Sequence, residues 1–353
     1  MSHRAGTPGH RNPHRRSLLF CVVRHVCCTI RFIPSRRRSI RGCEVRRRPG
    51  GPTLSGEVRD VFDVETERSQ LTAMAYRMLG TVADAEDAVQ ETYARWFRMP
   101  EDERAAVRSP GAWLGRTVGR VCLDVLGSAR MRREHYVGEW LPEPVPAHSD
   151  LVTGSRSGVD PLEVSIRNDA VSTALLLVLE ALTPAERVAF VLHDVFDLSF
   201  AEIAAAIGRS EAATRQLASS ARRHIRQRRA RMASREHHDA LVRAFAAASL
   251  SGDYHAVVRV LAPDVVLHSD GGGAVSAARR PVLGADRVAR FLLGLPHLQP
   301  GTVLEPVATP DGLGFLARTA SGQVHSVWTA GVEGDRVTDV WIVVNPAKLT
   351  LWA

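Results

Sequence analysis

Two groups of charged side chains, opposite in sign, stand out in this sequence. Between Arg215 and Arg235 there are eight arginines and no acid. Arg215, Gln216, Ser219, Arg222 and Arg223 fall at spacings that share one face of a helix. A helix fits the major groove of DNA, where arginine reads guanine edges and glutamine reads adenine, and a helix N-terminus favours phosphate. The acidic group is Asp84, Asp87 and Glu91, at i, i+3 and i+7. It forms one stripe near a helix start, where the helix dipole favours negative charge. Such a stripe is either a solvated face or a dock for a basic partner. A third set, Arg116, Thr117, Arg120 and Asp124, makes a polar stripe followed by Arg130, Arg132 and Arg133. A basic stripe beside aromatics can hold single-stranded DNA. The nearby Trp113 occupies an apolar position and is read as core.

Acid–base chemistry has weaker support. His255, His268, His325, Asp270 and Asp311 carry suitable groups, but nothing in their spacing requires them to meet. Asp270 opens a three-glycine run, a turn signal that lacks the lysine and following helix of a phosphate loop. Four of the five cysteines, Cys21, Cys27, Cys28 and Cys43, match no zinc-site spacing, and Cys122 reads as a small buried apolar residue. The expectation is therefore no catalytic residue, no metal, no cofactor and no disulfide framework.

These side chains need elements to carry them. Leu71, Met74, Ala75, Met78 and Leu79 have helical spacing that stops at Gly80. A second helix over about 83–97 buries Ala85, Ala88, Val89 and Trp96. A third starts at Ser109-Pro110 and turns Trp113, Leu114, Val118, Val121 and Val125 inward. Prolines and glycines then mark a flexible linker over 136–161, opening with YVGEWLPEP. Thr183-Pro-Ala-Glu186 and Ser199-Phe-Ala-Glu202 are capping boxes, and Gly208-Arg209-Ser210 joins two helices as a helix-turn-helix. After Arg235 come helical patterns at 236–250, 253–261 and 285–295. Strand patterns fall at 265–269, 302–307, 314–319, 324–330 and 337–344, which together predict an α+β domain with a curved antiparallel sheet.

Charge is uneven along the 353 residues. Residues 1–55 hold thirteen arginines and one acid, Glu44, so the net +8 of the whole chain conceals about −4 over the rest. Residues 1–56 read as a disordered basic extension. The run 17–33, broken by Arg24, His25 and Arg31, is too polar for a membrane helix and lacks a signal-peptide cleavage pattern, so a cytoplasmic protein with no membrane partner is expected.

Taken together the segments resemble the sigma-70 family, in its extracytoplasmic-function group. LTAMAYRMLGTVADAEDAVQETYARWF is similar to the polymerase-binding part of region 2. PGAWLGRTVGRVCLDVLGSARMRR is similar to its promoter-melting and −10-reading part, and LTPAERVAFVLHDVFDLSFAEIAAAIGRSEAATRQLASSARRHIR to region 4, which reads the −35 element. YVGEWLPEP, DGGG at 270–273 and NPAKL at 345–349 further resemble the SigJ-type subgroup with a fused SnoaL-like C-terminal domain. The resemblance implies a multidomain chain: region 2 as an all-α bundle over 57–135, region 4 as an all-α helix-turn-helix over 162–233, and an α+β SnoaL-like cone over 235–353. It implies that Asp84, Asp87, Gln90, Glu91 and Trp96 face or support the clamp of the largest subunit of core RNA polymerase. Arg116, Thr117, Arg120, Arg130, Arg132 and Arg133 would lie near −10 DNA, and Arg215, Gln216, Ser219, Arg222 and Arg223 at the −35 element. Trp140, Pro142, Asp270, Gly271, Asn345, Pro346 and Lys348 would make contacts through which the C-terminal domain, replacing a separate anti-sigma factor, both restrains and supports activity. Two departures from the subgroup pattern are Ala274, where lysine is usual, and Ala347, where aspartate is usual. The rival readings are a ligand-sensing helix-turn-helix regulator and a SnoaL-like enzyme.

Overall fold

Regions with these patterns fold as their caps and apolar spacings dictate. The computed structural model describes residues 64–133, 136–153, 171–298 and 300–353; the basic extension lies outside the described residues. Helix α1 (Val64–Leu79) ends at Gly80, whose φ of +80° suits glycine. Thr81 caps α2 (Val82–Arg98) by accepting from the Asp84 amide, and α2 buries Ala85, Ala88, Val89, Thr92 and Trp96. A short α3 (Glu101–Ala105) precedes α4 (Pro110–Arg133). After α5 (Asp150–Thr153) come α6 (Thr173–Ala181) and α7 (Pro184–Phe190), which loosens into a π-turn over Val191–Val195. Helices α8 (Phe200–Ile207) and α9 (Glu211–Arg229) form the helix-turn-helix. Both capping boxes close in each direction, and Gly208 ends α8 in the left-handed conformation.

One apolar core runs through both helical regions, from Leu71 and Tyr76 on α1 and Leu114 and Val118 on α4 to Leu192, Ile203 and Ile225. Cys122 is fully buried in it, and burial pushes its thiol pKa up.

The C-terminal part contains α10 (Arg235–Ser251), α11 (Tyr254–Val260), β1 (Leu261–Asp270), β2 (Val282–Leu283), α12 (Ala285–Leu298), β3 (Val303–Thr309), β4 (Gly312–Arg318), β5 (Val324–Glu333) and β6 (Arg336–Val343). The sheet order is β2-β1-β6-β5-β4-β3, antiparallel except for the parallel pair β1/β6. Val242, Phe245, Val288 and Leu292 pack against Leu267, Val340 and Ile342 on one face. The other face carries Leu316, Val327, Trp341 and Val343, which pack with Leu141, Ala174, Leu349 and Trp352. The α+β cone is therefore the observed fold.

Four details differ from the sequence expectations, the first being the parallel pairing of β1 with β6 in a sheet expected to be antiparallel. Strand β1 begins at Leu261, where a helix end was expected, and a register shift between Leu261 and Val266 hides its alternation. Strand β2 has two residues, too few to show a period. The linker is the larger correction. Its start is no flexible tether: residues 141–145 are all buried, held by hydrogen bonds on both sides.

Candidate functional site

The outward face of α9 keeps most of its charge in water. Gln216, Ser219 and Arg223 are exposed. Arg215 is exposed but pairs with Glu211 and lies over the Phe200 ring, 5.3 Å from its centroid. Arg222 is half-buried and donates to Asp194 at 2.5 Å, so it braces α9 against the π-turn. On α2, Asp87 and Gln90 are exposed, Asp84 accepts from the Thr81 hydroxyl at 2.6 Å, and Glu91 pairs with Arg95 at 2.9 Å. Trp96 of the same helix is buried in the core, with its ring 5.2 Å from that of half-buried Trp113.

Helix α4 is more enclosed. Arg120 is exposed, Thr117 spends its hydroxyl on the Trp113 carbonyl at 2.8 Å, and Arg116 sits 3.9 Å from Glu202 of α8. The side chains of Arg130, Arg132 and Arg133 lie outside the described residues. Gly119 faces the π-turn so closely that a Cβ there would stand 2.6 Å from Leu192 Cδ1. Arg187 of α7 donates to the Met78 carbonyl at 2.9 Å and to Glu180 at 2.8 Å, and burial pushes its guanidinium pKa down to about 10.

Behind these surfaces the linker is sealed at a junction built on Asp270. This side chain has no solvent exposure and accepts from four donors: Tyr136 Oη at 2.6 Å, Gly272 N at 3.0 Å, Leu141 N at 2.9 Å and Lys348 Nζ at 2.7 Å. Lys348, the one lysine of the chain, also donates to the Leu141 carbonyl at 2.5 Å and lies 4.4 Å from the Trp140 ring centroid. A buried carboxylate and ammonium survive only when paired and fully hydrogen-bonded. Burial and the bond to Asp270 push the Tyr136 phenol pKa up, so it remains a donor. Asn345 donates to Tyr136 Oη at 3.0 Å, and Gly272, at φ +60°, leaves the room that Asn345 occupies. Gly271 and Pro142 are buried, whereas Pro346 is exposed and opens the 3₁₀ turn that carries Lys348. Ala274 and Ala347 are both exposed, and the Asp270–Lys348 pair forms without a charge at either.

The junction extends to region 2 through a residue that sequence reasoning passed over. Buried Glu143 accepts at Oε2 from the Val82 amide (2.8 Å), donates its own amide to the Gly80 carbonyl (2.8 Å), and its carbonyl accepts from Tyr76 Oη (2.6 Å). Burial raises the Glu143 carboxyl pKa. Trp140 stacks on Gly80, where a Cβ would come within 2.7 Å of the indole. Trp352 Nε1 donates to the Pro144 carbonyl at 2.8 Å. Two further links tie the helix-turn-helix to the sheet. Asp311 accepts from Thr173 N (3.0 Å), Thr173 Oγ1 (2.8 Å) and Ala174 N (3.3 Å) at the start of α6. Arg228 of α9 forks onto Glu333 (2.6 Å) and Asp339 (2.8 Å).

The five acid–base candidates do not converge. Asp270 and Asp311 serve the contacts above, His268 faces Glu139 at 3.3 Å, and His255 meets the Tyr254 ring edge-on. His325 has its pKa lowered by burial. Among the described residues, no group of three or more His, Cys, Asp or Glu could hold a metal, and no helix is long and apolar enough to cross a membrane.

Comparison with known proteins follows the same division. The family model for Sigma-70 region 2 matches 64–132, and that for Sigma-70, region 4, matches 172–225. The chain is 39% identical over 302 residues to the ECF RNA polymerase sigma factor SigJ of Mycobacterium tuberculosis, covering 82% of this chain and 93% of the relative. It is 37% identical to the probable ECF RNA polymerase sigma factor SigI of the same species, covering 80% and 92%. A crystal structure of the M. tuberculosis extracytoplasmic function sigma factor SigJ superposes with a TM-score of 0.61 at 36% identity, covering 81% of this chain and 96% of that one.

Proposed function

Because the chain belongs to the extracytoplasmic-function group of the sigma-70 family, we propose how its parts share the work of transcription initiation. As a sigma factor it acts with core RNA polymerase at promoter DNA. Asp84, Asp87 and Glu91, with Gln90 beside them and Trp96 supporting them from below, dock on the basic clamp of the largest subunit. Arg116, Thr117 and Arg120, with Arg130, Arg132 and Arg133 further along α4, lie at the −10 DNA. Arg215, Gln216, Ser219 and Arg223 read the −35 element, and Arg222 holds their helix in place. The C-terminal cone acts from within the chain in place of a separate anti-sigma factor. It has no catalytic role, and the protein works in the cytoplasm.

The observation that carries this reading is that α9 presents Gln216, Ser219 and Arg223 to solvent while its far end is tied to the cone through Arg228. The shared core of the two helical regions adds a requirement. The −10 and −35 elements lie about 25 base pairs apart, roughly 85 Å of B-DNA at about 3.4 Å per pair. A unit of about 160 residues with one core is only about 40 Å across, from a radius of gyration near 15 Å. Both elements therefore cannot be read while α4 is packed on the π-turn. The two regions must separate on polymerase, and the junction sets how readily they do.

The test is run-off transcription with purified core polymerase on a genomic promoter library. The full chain should yield promoter-specific transcripts, and Asp84→Ala/Asp87→Ala/Glu91→Ala should abolish them. Tight promoter binding without polymerase and no transcript would instead identify an ordinary helix-turn-helix regulator.

A further inference from the structure

A cavity of about 290 Å³ lies between the start of the linker and the loop that follows β1. That is the lower end of the range for small-molecule sites, about 300–1,000 Å³. Glycine, alanine and serine make most of its lining, so the loop encloses space that longer side chains would fill. A Cβ on Gly271 would collide with the Val275 carbonyl oxygen. Val137 and Gly138 close the linker side, and Ser269, Ser276 and Arg279 supply the polar side chains. Ser269 is 4% exposed, and no group among the described residues hydrogen-bonds to its hydroxyl. The hydroxyl oxygen is not sealed off from solvent, so it opens on the cavity that the residue lines. Arg279 is exposed, and among the described residues no carboxylate pairs with it. The stretch from Gly271 to Ala285 holds Arg279 and Arg280 and no acid. Two carboxylates of this neighbourhood are already committed. Side chains alternate between the faces of a strand, so His268 and Asp270 lie on the opposite face of β1 from Ser269. There Lys348 neutralises Asp270 at 2.7 Å, and Glu139 faces His268 at 3.3 Å. The cavity therefore presents a buried hydroxyl without a partner and a guanidinium without a counter-ion.

We infer that this cavity is a binding site for a small tetrahedral oxyanion, a phosphate or a phosphate monoester. Arg279 supplies the counter-charge and a fork of donors, and Ser269 and Ser276 donate their hydroxyls. Several single donors on strand and loop suit an anion with three or four oxygens better than a planar carboxylate with two. An anion in a partly enclosed space needs both the opposite charge and the hydrogen bonds, and the lining offers both. One wall belongs to the linker and the other to the cone, so the site is complete only while the linker is seated. A ligand that binds only this arrangement favours it in proportion to its affinity. Such an anion would reinforce the junction and lower transcription. That consequence rests on the sigma reading, whereas the binding itself does not.

The probe is inorganic phosphate, titrated into the full chain by calorimetry at constant ionic strength. It should bind at one saturable site, and acetate should bind at least fivefold more weakly. Arg279→Gln removes the charge and Ser269→Ala the buried hydroxyl. Each should weaken phosphate at least fivefold, with the circular dichroism spectrum unchanged. Arg243→Gln removes an exposed arginine of α10 that does not line the cavity, and it should leave the affinity as it was. No saturable binding, equal losses in all three variants, or acetate bound as tightly as phosphate would overturn the proposal. In run-off transcription at constant ionic strength, phosphate should lower the output of the full chain more than that of Arg279→Gln. If phosphate binds as stated but the two respond alike, the site stands and its link to promoter reading fails.

Discussion

The exposed face of α9 and the buried junction around Asp270 use charge in opposite ways. Arg223 stands in water with no ion pair among the described residues, whereas Lys348 is 5% exposed and Asp270 not at all. A hydrated arginine contributes little to folding and keeps its fork of donors for a partner. A buried ammonium and carboxylate are tolerable only as a completed set, so each becomes indispensable to the fold. The chain has 45 arginines but one lysine, and that lysine is sealed inside. Position in the fold, not residue type, decides whether a charge serves a partner or the protein itself.

Substitutions on the two sides should separate cleanly. Lys348→Met leaves Asp270 buried without its counter-ion and should lower unfolding free energy by about 3–5 kcal/mol, measured by urea denaturation. Lys348→Met with Asp270→Asn should recover part of that loss, because the side-chain carbonyl still accepts from the buried donors around it while no charge is left unpaired, and no recovery would mean that the unpaired charge is not what Lys348→Met costs. Gly80→Ala adds a Cβ at φ +80° against the Trp140 ring and should cost about 1–3 kcal/mol. Adding Trp140→Ala should relieve only the steric part, so the double variant should fall short of the sum of the singles. Arg223→Ala should leave stability within about 0.5 kcal/mol while weakening promoter-specific transcription by roughly tenfold, as expected for loss of an arginine that reads a base. If Arg223→Ala instead destabilised the chain like Lys348→Met, the contrast would collapse.

The smallest effect concerns pH. The Glu143 carboxyl pKa is raised by burial from its ordinary 4.5. The folded chain therefore holds that proton more tightly than the unfolded chain does. The stability this group contributes is full below pH 4.5 and is lost as pH rises through the folded value. Glu143→Gln keeps an acceptor for the Val82 amide and should remove that part of the decline, seen as a shallower fall of unfolding free energy with rising pH. An unchanged slope would show that the carboxyl does not titrate differently in the folded chain.

Much of this was legible in the residues. Capping boxes at Thr183 and Ser199 announced two helix starts, and Gly208 one helix end, because caps are local chemistry. The basic face of α9, the acidic stripe of α2, the buried Cys122 and most strands followed from spacing alone. Trp140, Asp270 and Lys348 were singled out by motif, though nothing in their spacing said that they meet. Tyr136 and Glu143 lie within the YVGEWLPEP motif but were not singled out, and Asp311 was missed as a contact residue, because their partners lie 61 to 138 positions away and no local period encodes such pairs. The 136–146 segment misled for a related reason. Proline and glycine mark an irregular backbone, and they do not distinguish a loose loop from one held by hydrogen bonds to neighbouring domains.

The central claim, that α4 and the π-turn must part before both promoter elements can be read, has a reversible test. Gly119→Cys with Leu192→Cys, in a chain whose native cysteines are replaced by serine, would join the two surfaces by a disulfide. Run-off transcription with core polymerase should be lost in the oxidised protein and return to the level of the parent chain on reduction. Full transcription from the oxidised, fully cross-linked protein would contradict the account.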